Sequence, residues 1–246
     1  MKKILFIIIL FPQVCFSQNR YGDIIDIMGK RSSNDTLWNN ITNYYKLDCT
    51  PVDTVHGAND TLVNAPGYTT GIINQSININ GINQYISIPN NSWDYMPISC
   101  SVWIKTPSTL GTFIIPLSNI SSSSTAGWEF EIYTNILSLV NFKTSGYEQL
   151  QYTYSFSGNT WYNIGFSIAT SGIATIYLNG TKVGSVAFTP VSYSGTETPK
   201  IGLIRYISTN YSGACYVDEI ALFNVVKSDS WFTKIYNSGI GIQYPN

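Results

Sequence analysis

From Asn43 to Asn224 the chain is a succession of short apolar-rich runs, each closed by a turn signal. That punctuation constrains the fold more than any other feature, because stacked antiparallel sheets are what such runs can build. NYYKLD (43–48), SININ (76–80), QYISIP (84–89), ISCSVWIKT (98–106) and TFIIPLSN (112–119) open the series. GWEFEIYT (127–134), ILSLVNFK (136–143), QLQYTYSF (149–156), WYNIGFSIA (161–169) and IATIYLNG (173–180) continue it, and TKVGSVAF, PKIGLIRY and ACYVDEIALFN close it. Alternation sends Ile98, Cys100 and Val102 to one face, and Ser99, Ser101 and Trp103 to the other. In YLNGTKV, Asn179-Gly180 signals a two-residue hairpin. One helix is expected, in SDSWFTKIYNSG: Ser228 or Asp229 caps it, Trp231 and Ile235 share a face, and Gly239 supplies the stop. The expected fold is an all-β antiparallel sandwich with one short C-terminal helix.

A sandwich of 246 residues is commonly a single unit. Charged residues make up 11%, against about 25% in an ordinary soluble domain, so Asn, Ser, Thr and Tyr must supply solubility. The start reads as a cleavable secretory signal over 1–17: a basic Met1-Lys2-Lys3, an apolar Ile4 to Phe11, and Ser17 as the small residue before the cut. Cys15 follows PQV, which lacks the Leu and the small residue of a lipidation signal. Residues 18–42 carry a weak pattern and read as a leader, with the domain over 43–246. No second long apolar run follows, so no membrane span is expected.

Without Lys2 and Lys3, eleven basic residues face fourteen acids, a net charge of −3. No Lys/Arg cluster stands out, and a phosphate-tracking groove needs one, so nucleic acid is not an expected partner. Three cysteines follow the signal: Cys49, Cys100 and Cys215. Export permits a disulfide, but an odd count leaves one thiol over. Cys100 sits in a strand and reads as a small buried apolar residue.

Five stretches, in order, resemble the laminin-G-like branch of the concanavalin A-like lectin/glucanase jelly rolls, specifically the pentraxin-like subgroup. They are NYYKLD, ININGINQYISIP (77–89), ISCSVWIKT, NTWYNIGFSIATSGIATIYLNGTKVG (159–184) and GACYVDEIALFNVVKSDSWFTKIYNSG (213–239). The resemblance covers roughly residues 43–246. It implies that the first and last strands are antiparallel neighbours, which would place Cys49 near Cys215 as a disulfide. It also implies a structural calcium ion held by the loop after the first strand, DCTPVDTVHGAND, with a closing-strand Asp. Asp53, Asp60 and Asp218 fill those positions, with carbonyls from His56 to Asn59. Trp103, Trp161 and Trp231 fall at core positions of the family-like elements.

Asp218 and Glu219 are adjacent, and adjacent strand residues point to opposite faces, so they are not expected to converge as a catalytic pair. Glu129 and Glu131 share a face, with Cα atoms roughly 6.5–7 Å apart. Glycosidases of the same superfamily carry E-x-D-x-x-E here, but Thr134 stands in place of the last Glu. The pair therefore reads as solvated acids on an amphipathic strand. His56 is the only histidine, no nucleophile elbow is present, and zinc lacks ligands. Tyr147, Tyr152, Tyr154, Tyr193, Tyr206 and Tyr211 lie in or beside expected loops, where rings can stack on sugars. Asp-Thr-apolar triplets at 35–37, 53–55 and 60–62, and sequons such as Asn40 and Asn179, match glycosylation acceptors at the level chance provides.

Together these features describe a secreted or cell-surface, non-catalytic binding module. Its expected partner is a glycan or a cell-surface protein, and an oligomer is compatible with the sequence. A structural subunit of a surface appendage or virion-like assembly is the first alternative, and a glycoside hydrolase the second.

Overall fold

Alternation along each run becomes strand after strand. A computed structural model of the protein describes residues 36–57, 60–89, 93–110, 113–121, 125–191, 199–206, 209–211 and 213–245, with the side chains of 204–206 and 209–211 excepted. The expected signal, most of the leader and Tyr193 lie outside these residues. Residues from Leu37 to Asn246 form one compact unit.

Two antiparallel sheets stack face to face. In the first, the order is β13 (Thr181–Ala187), β12 (Ile173–Leu178), β11 (Trp161–Ile168), β6 (Ile98–Lys105), β17 (Ala214–Phe223), β4 (Gln75–Asn80) and β3 (Gly67–Thr70). β1 (Ile41–Tyr45) also pairs with β17. In the second, the order is β10 (Gly146–Thr153), β9 (Ile136–Lys143), β8 (Gly127–Tyr133), β7 (Phe113–Ile120), β14 (Lys200–Ile201), β5 (Tyr85–Ser87) and β2 (Thr61–Val63). β15 (Ile204–Tyr206) and β16 (Thr209–Tyr211) pair as a separate two-stranded ribbon. This is the expected sandwich. The short β2 and β3 were not foreseen: TLV and GYTT are too brief to show a period.

Between the sheets, Ile98, Cys100, Val102 and Ile104 from β6 meet Trp128, Phe130 and Ile132 from β8. Full burial of each large apolar side chain is worth roughly 1.5–3 kcal/mol. A second cluster lies on the opposite face of the first sheet. There Tyr44, Tyr177 and Phe223 pack against Trp231, Phe232 and Ile235 of helix α1 (Asp229–Tyr236). Gly165 makes this close approach feasible, since a Cβ there would stand 2.6 Å from the Phe232 ring. Ser228 caps α1 by accepting from Trp231 N–H. The helix stops at Asn237, which takes the left-handed conformation (φ 47°), two residues before the expected Gly239. Asn tolerates that conformation through its short polar side chain.

Trp103 and Trp231 are buried as expected, although Trp103 lies outside the inter-sheet core and stacks on Tyr236. Trp161 is only half-buried, at the first position of β11. Trp93 and Trp128, fully buried and stacked 5.9 Å apart, take the central place instead. Leu37 and Trp38, within the expected leader, are buried in the second cluster.

The Cys49–Cys215 bridge is not formed: Cys215 is a free, buried thiol. β1 runs beside β17 only as far as Tyr45 opposite Ile220. Leu47 and Cys49 then take positive φ and turn the chain away. β4 occupies the vacated edge, with Ile79 opposite Cys215.

Candidate functional site

The turn after β1 folds the chain back on itself. Asp53 forms an antiparallel bridge with Tyr45, and Thr54 N–H donates to Tyr44 O at 2.7 Å. Asp53 is buried and spends its carboxylate on this loop. Its Oδ1 accepts from the backbone N–H of Tyr44 and Val55, at 3.0 Å each. Its Oδ2 accepts from Asn43 Nδ2 at 2.8 Å and lies 2.7 Å from His56 Nδ1. Asp60, arriving from the start of β2, faces the same space.

That space is a cavity of about 400 Å³ lined by Thr42, Asn43, Tyr45, Asp53, His56 and Asp60 together with Pro89 and Tyr95. Tyr95 and Thr42 hydrogen-bond through their hydroxyls. Asp60 is the anomaly. It is 8% exposed, and neither carboxylate oxygen has a hydrogen-bond partner among the described residues; Asn43 Oδ1 is orphaned as well. A buried acceptor without a donor costs about 1–3 kcal/mol, and more if charged. Burial, reinforced by the charge of Asp53, accordingly pushes the Asp60 carboxyl up to about 7. Burial and the two aspartates also hold the Tyr45 phenol well above its ordinary range. The unmet demand is for hydrogen-bond donors or for a cation, and oxygen atoms of this kind suit a hard cation such as calcium.

Of the three expected calcium ligands, Asp53 and Asp60 come together and Asp218 does not join them. Among the described residues no three His, Cys, Asp or Glu side chains are grouped as for a metal. Ala58 and Asn59, expected to offer carbonyls, lie outside the described residues. Asp218 Oδ2 instead accepts from the backbone N–H of Ile72 and Ile73, at 2.9 and 3.3 Å, where the β3–β4 turn meets β17.

Asp218 and Glu219 also depart from the expected opposite faces. The register of β17 against β6 shifts between Asp218 and Ala221, and Glu219 takes φ 49°. This bulge carries both side chains to the outer face, with Val217 and Ile220 as the inward neighbours in the core. They still do not converge. Glu219 accepts from Tyr44 OH and from Gln243 Nε2, the latter at 2.7 Å, while Gln243 also reaches Asp48 Oδ2 at 3.3 Å. Burial raises Asp218 and pushes Glu219 up to about 8. The arrangement straps the C-terminal segment to the sheet.

Glu129 and Glu131 share the outward face of β8, as the spacing requires, but they are not solvated: each is 6% exposed. Burial raises both, and the carboxyl of Glu131 beside it raises Glu129 further. Thr134, standing where a third acid would be, takes φ 55° at the end of the strand. Among the expected tyrosines whose side chains are described, Tyr147 lies apart from Tyr152 and Tyr154. Tyr147 is 55% exposed on the outer face of β10, opposite Phe142. Tyr152 and Tyr154 stack on each other and pack on the inter-sheet core. Tyr206 and Tyr211 belong to the β15–β16 ribbon, their side chains lying outside the description. Sequence reasoning missed Asn43 and Tyr45, brought to the cavity by the loop that returns to β1, and Tyr95, which reaches it from the segment before β6 through its bond to Thr42. Of the sequons, Asn40 is exposed, whereas Asn179 accepts from Asn163 N–H within the hairpin turn.

A family model described as the concanavalin A-like lectin/glucanases superfamily, of laminin-G type, matches residues 80–231. No curated protein matches the chain. Domain 4 of AbnA, a GH43 extracellular arabinanase from Geobacillus stearothermophilus solved with arabinotriose, is similar in structure. Its TM-score is 0.67 at 17% identity, over 79% of this chain and 97% of that domain. The botulinum neurotoxin type G receptor-binding domain gives 0.64 at 17% identity, over 81% of this chain. The binding domain of botulinum neurotoxin DC in complex with SialylT gives 0.61 at 16% identity, over 82% of this chain. The chain spans about half the length of these two toxin domains, 51% and 52%. Identities this low speak for the shared fold alone.

Proposed function

Because the chain belongs to the concanavalin A-like lectin/glucanase superfamily, in its laminin-G-like branch, we propose that it is an exported, non-catalytic binding module for carbohydrate of a cell surface or matrix, with the acidic cavity as its site. The observation that carries this reading is the set of uncompensated oxygens, both of Asp60 and one of Asn43, in a cavity that Tyr95 and Pro89 also line. Such a site gains most from a ligand rich in O–H donors, and the aromatic wall offers an apolar face to a sugar ring. The oxygens of Asp60 and Asn43 Oδ1, which have no hydrogen-bond partner, would hold a calcium ion beside the charge of Asp53, and the ion would supply positive charge to the buried carboxylates and a coordination centre for hydroxyl oxygens. Tyr45 and the Thr42–Tyr95 pair shape the pocket, and the hydrogen bonds to Asp53 fix the loop that forms its floor. AbnA domain 4, solved with a trisaccharide, and the toxin domain, solved with SialylT, lend support by analogy of fold.

A glycan array probed in calcium and in EDTA, with wild type and Asp60→Asn side by side, tests this. Binding to one glycan class that falls at least tenfold in the variant and in EDTA is the expected result. Absence of binding in both buffers would remove carbohydrate recognition. Binding insensitive to Asp60→Asn would place the site elsewhere on the molecule.

A further inference from the structure

We propose that the cavity selects a ligand with a free primary amine, as in an unacetylated amino sugar, whose ammonium group seats on Asp60 and on Asn43 Oδ1 in metal-free protein. The proposal rests on the reading of this cavity as the ligand site and names the chemical class the site takes.

Hydrogen-bond count decides the class. Three acceptors at the cavity have no partner among the described residues: Asp60 Oδ1, Asp60 Oδ2 and Asn43 Oδ1. Neighbouring donors are spent on protein oxygens. Asn43 Nδ2 donates to Asp53 Oδ2 at 2.8 Å. The Thr42 hydroxyl donates to Leu222 O at 3.1 Å, so Tyr95 is the donor in the Thr42–Tyr95 pair. The cavity therefore holds a surplus of acceptors. Water brings hydrogens and lone pairs in equal number and passes such a surplus on. A sugar hydroxyl satisfies one acceptor and adds two lone pairs of its own. An ammonium group brings three N–H donors and no acceptor, which equals the count. A guanidinium brings five and a quaternary amine none, so neither matches.

Charge points the same way. Asp53 and Asp60 both line the cavity, and no Lys or Arg is among its lining residues. Asp60 is 8% exposed, and a buried ion is tolerated only when it is paired and fully hydrogen-bonded. Bonds of the N⁺–H···O⁻ kind are roughly twice as strong as neutral ones. Calcium would draw on the same oxygens but takes about six to eight, so water or ligand would have to supply the rest. Ammonium needs no others. The two cations exclude each other, and the amine is the ligand of the metal-free cavity.

Calorimetric titration in EDTA at neutral pH, with a glucosamine trisaccharide and its N-acetylated counterpart, reads the preference. The amine form is expected to bind roughly tenfold tighter or more, the worth of one hydrogen bond to a charged group. Asp60→Asn should abolish the difference, with an unchanged far-ultraviolet spectrum as the folding control. Glu148→Gln removes a carboxylate of β10 that Lys143 and Thr189 hold, and should leave the difference intact. Equal affinity for the two trisaccharides, a preference that survives Asp60→Asn, or one lost equally in Glu148→Gln would each overturn the proposal. A third probe, Nα-acetyl-lysine amide, separates the proposal from the reading it rests on. If it binds as tightly as the amino sugar, the ammonium seat stands and carbohydrate recognition falls. If hydroxyl-only glycans bind in calcium and no amine preference exists in EDTA, carbohydrate recognition stands and the ammonium seat falls.

Discussion

Asp60 concentrates the chemistry of the molecule in one side chain. Its folded carboxyl titrates at about 7, against about 3.9 in an unfolded chain. The folded state therefore binds a proton that the unfolded state has released. The stability this proton contributes is full below about pH 4 and is lost as pH rises through about 7. Asp60→Asn removes the ionisation while keeping the shape. In metal-free protein at pH 8 it should stabilise by about 1–3 kcal/mol, the cost of a buried unsatisfied group, as read by urea unfolding. At the proposed calcium site the sign would reverse, because the metal would take the place of the proton. Apparent calcium affinity of the wild type should climb as pH rises through about 7, and calcium should raise the melting temperature of the wild type but not of Asp60→Asn.

At the scale of single elements, the sequence is most legible where local rules act alone. The Asn179-Gly180 hairpin forms between β12 and β13, with both residues at positive φ, and the Ser228 cap starts α1 where expected. The alternation of β6 is reproduced residue by residue. What was not legible depends on partners distant in sequence. The β17 bulge that turns Glu219 outward, the withdrawal of β1 that separates Cys49 from Cys215, and the return of Asp53 to Tyr45 are all set by which strand claims an edge. The hairpin also has a tertiary role: Gly180 packs under α1, accepting from Thr233 Oγ1 at 2.9 Å. A Cβ there would stand 2.9 Å from Tyr236 Cβ, at φ 73°. Gly180→Ala should therefore cost roughly 1–3 kcal/mol, from positive φ and helix displacement together. Chemical denaturation would show it, and a neutral result would mean that α1 is not seated on the turn.

Over the whole molecule, buried acids set the response to pH. Asp60, Asp218, Glu219, Glu129 and Glu131 are all raised, burial being the leading cause in each. Native protein thus holds more protons than unfolded protein between about pH 4 and 8, so stability falls as pH rises through that window. Lys227, lowered to about 8 by burial, opposes the trend only above that value. Metal-free protein should melt at a higher temperature at pH 5 than at pH 8, an order contrary to that of a protein held by ionised salt bridges. The fold that carries these acids was legible from strand spacing, but the cavity was legible only in its two aspartates. The central claim is that this cavity is where the ligand binds. It is tested most directly by titrating the glycan selected on the array into isotope-labelled protein and mapping the amide shifts. Shifts gathered at Asn43–Tyr45, Asp53–Gly57, Asp60 and Tyr95 are expected. Shifts gathered instead around Tyr147, Gln149 and Gln151 on the second sheet would contradict it.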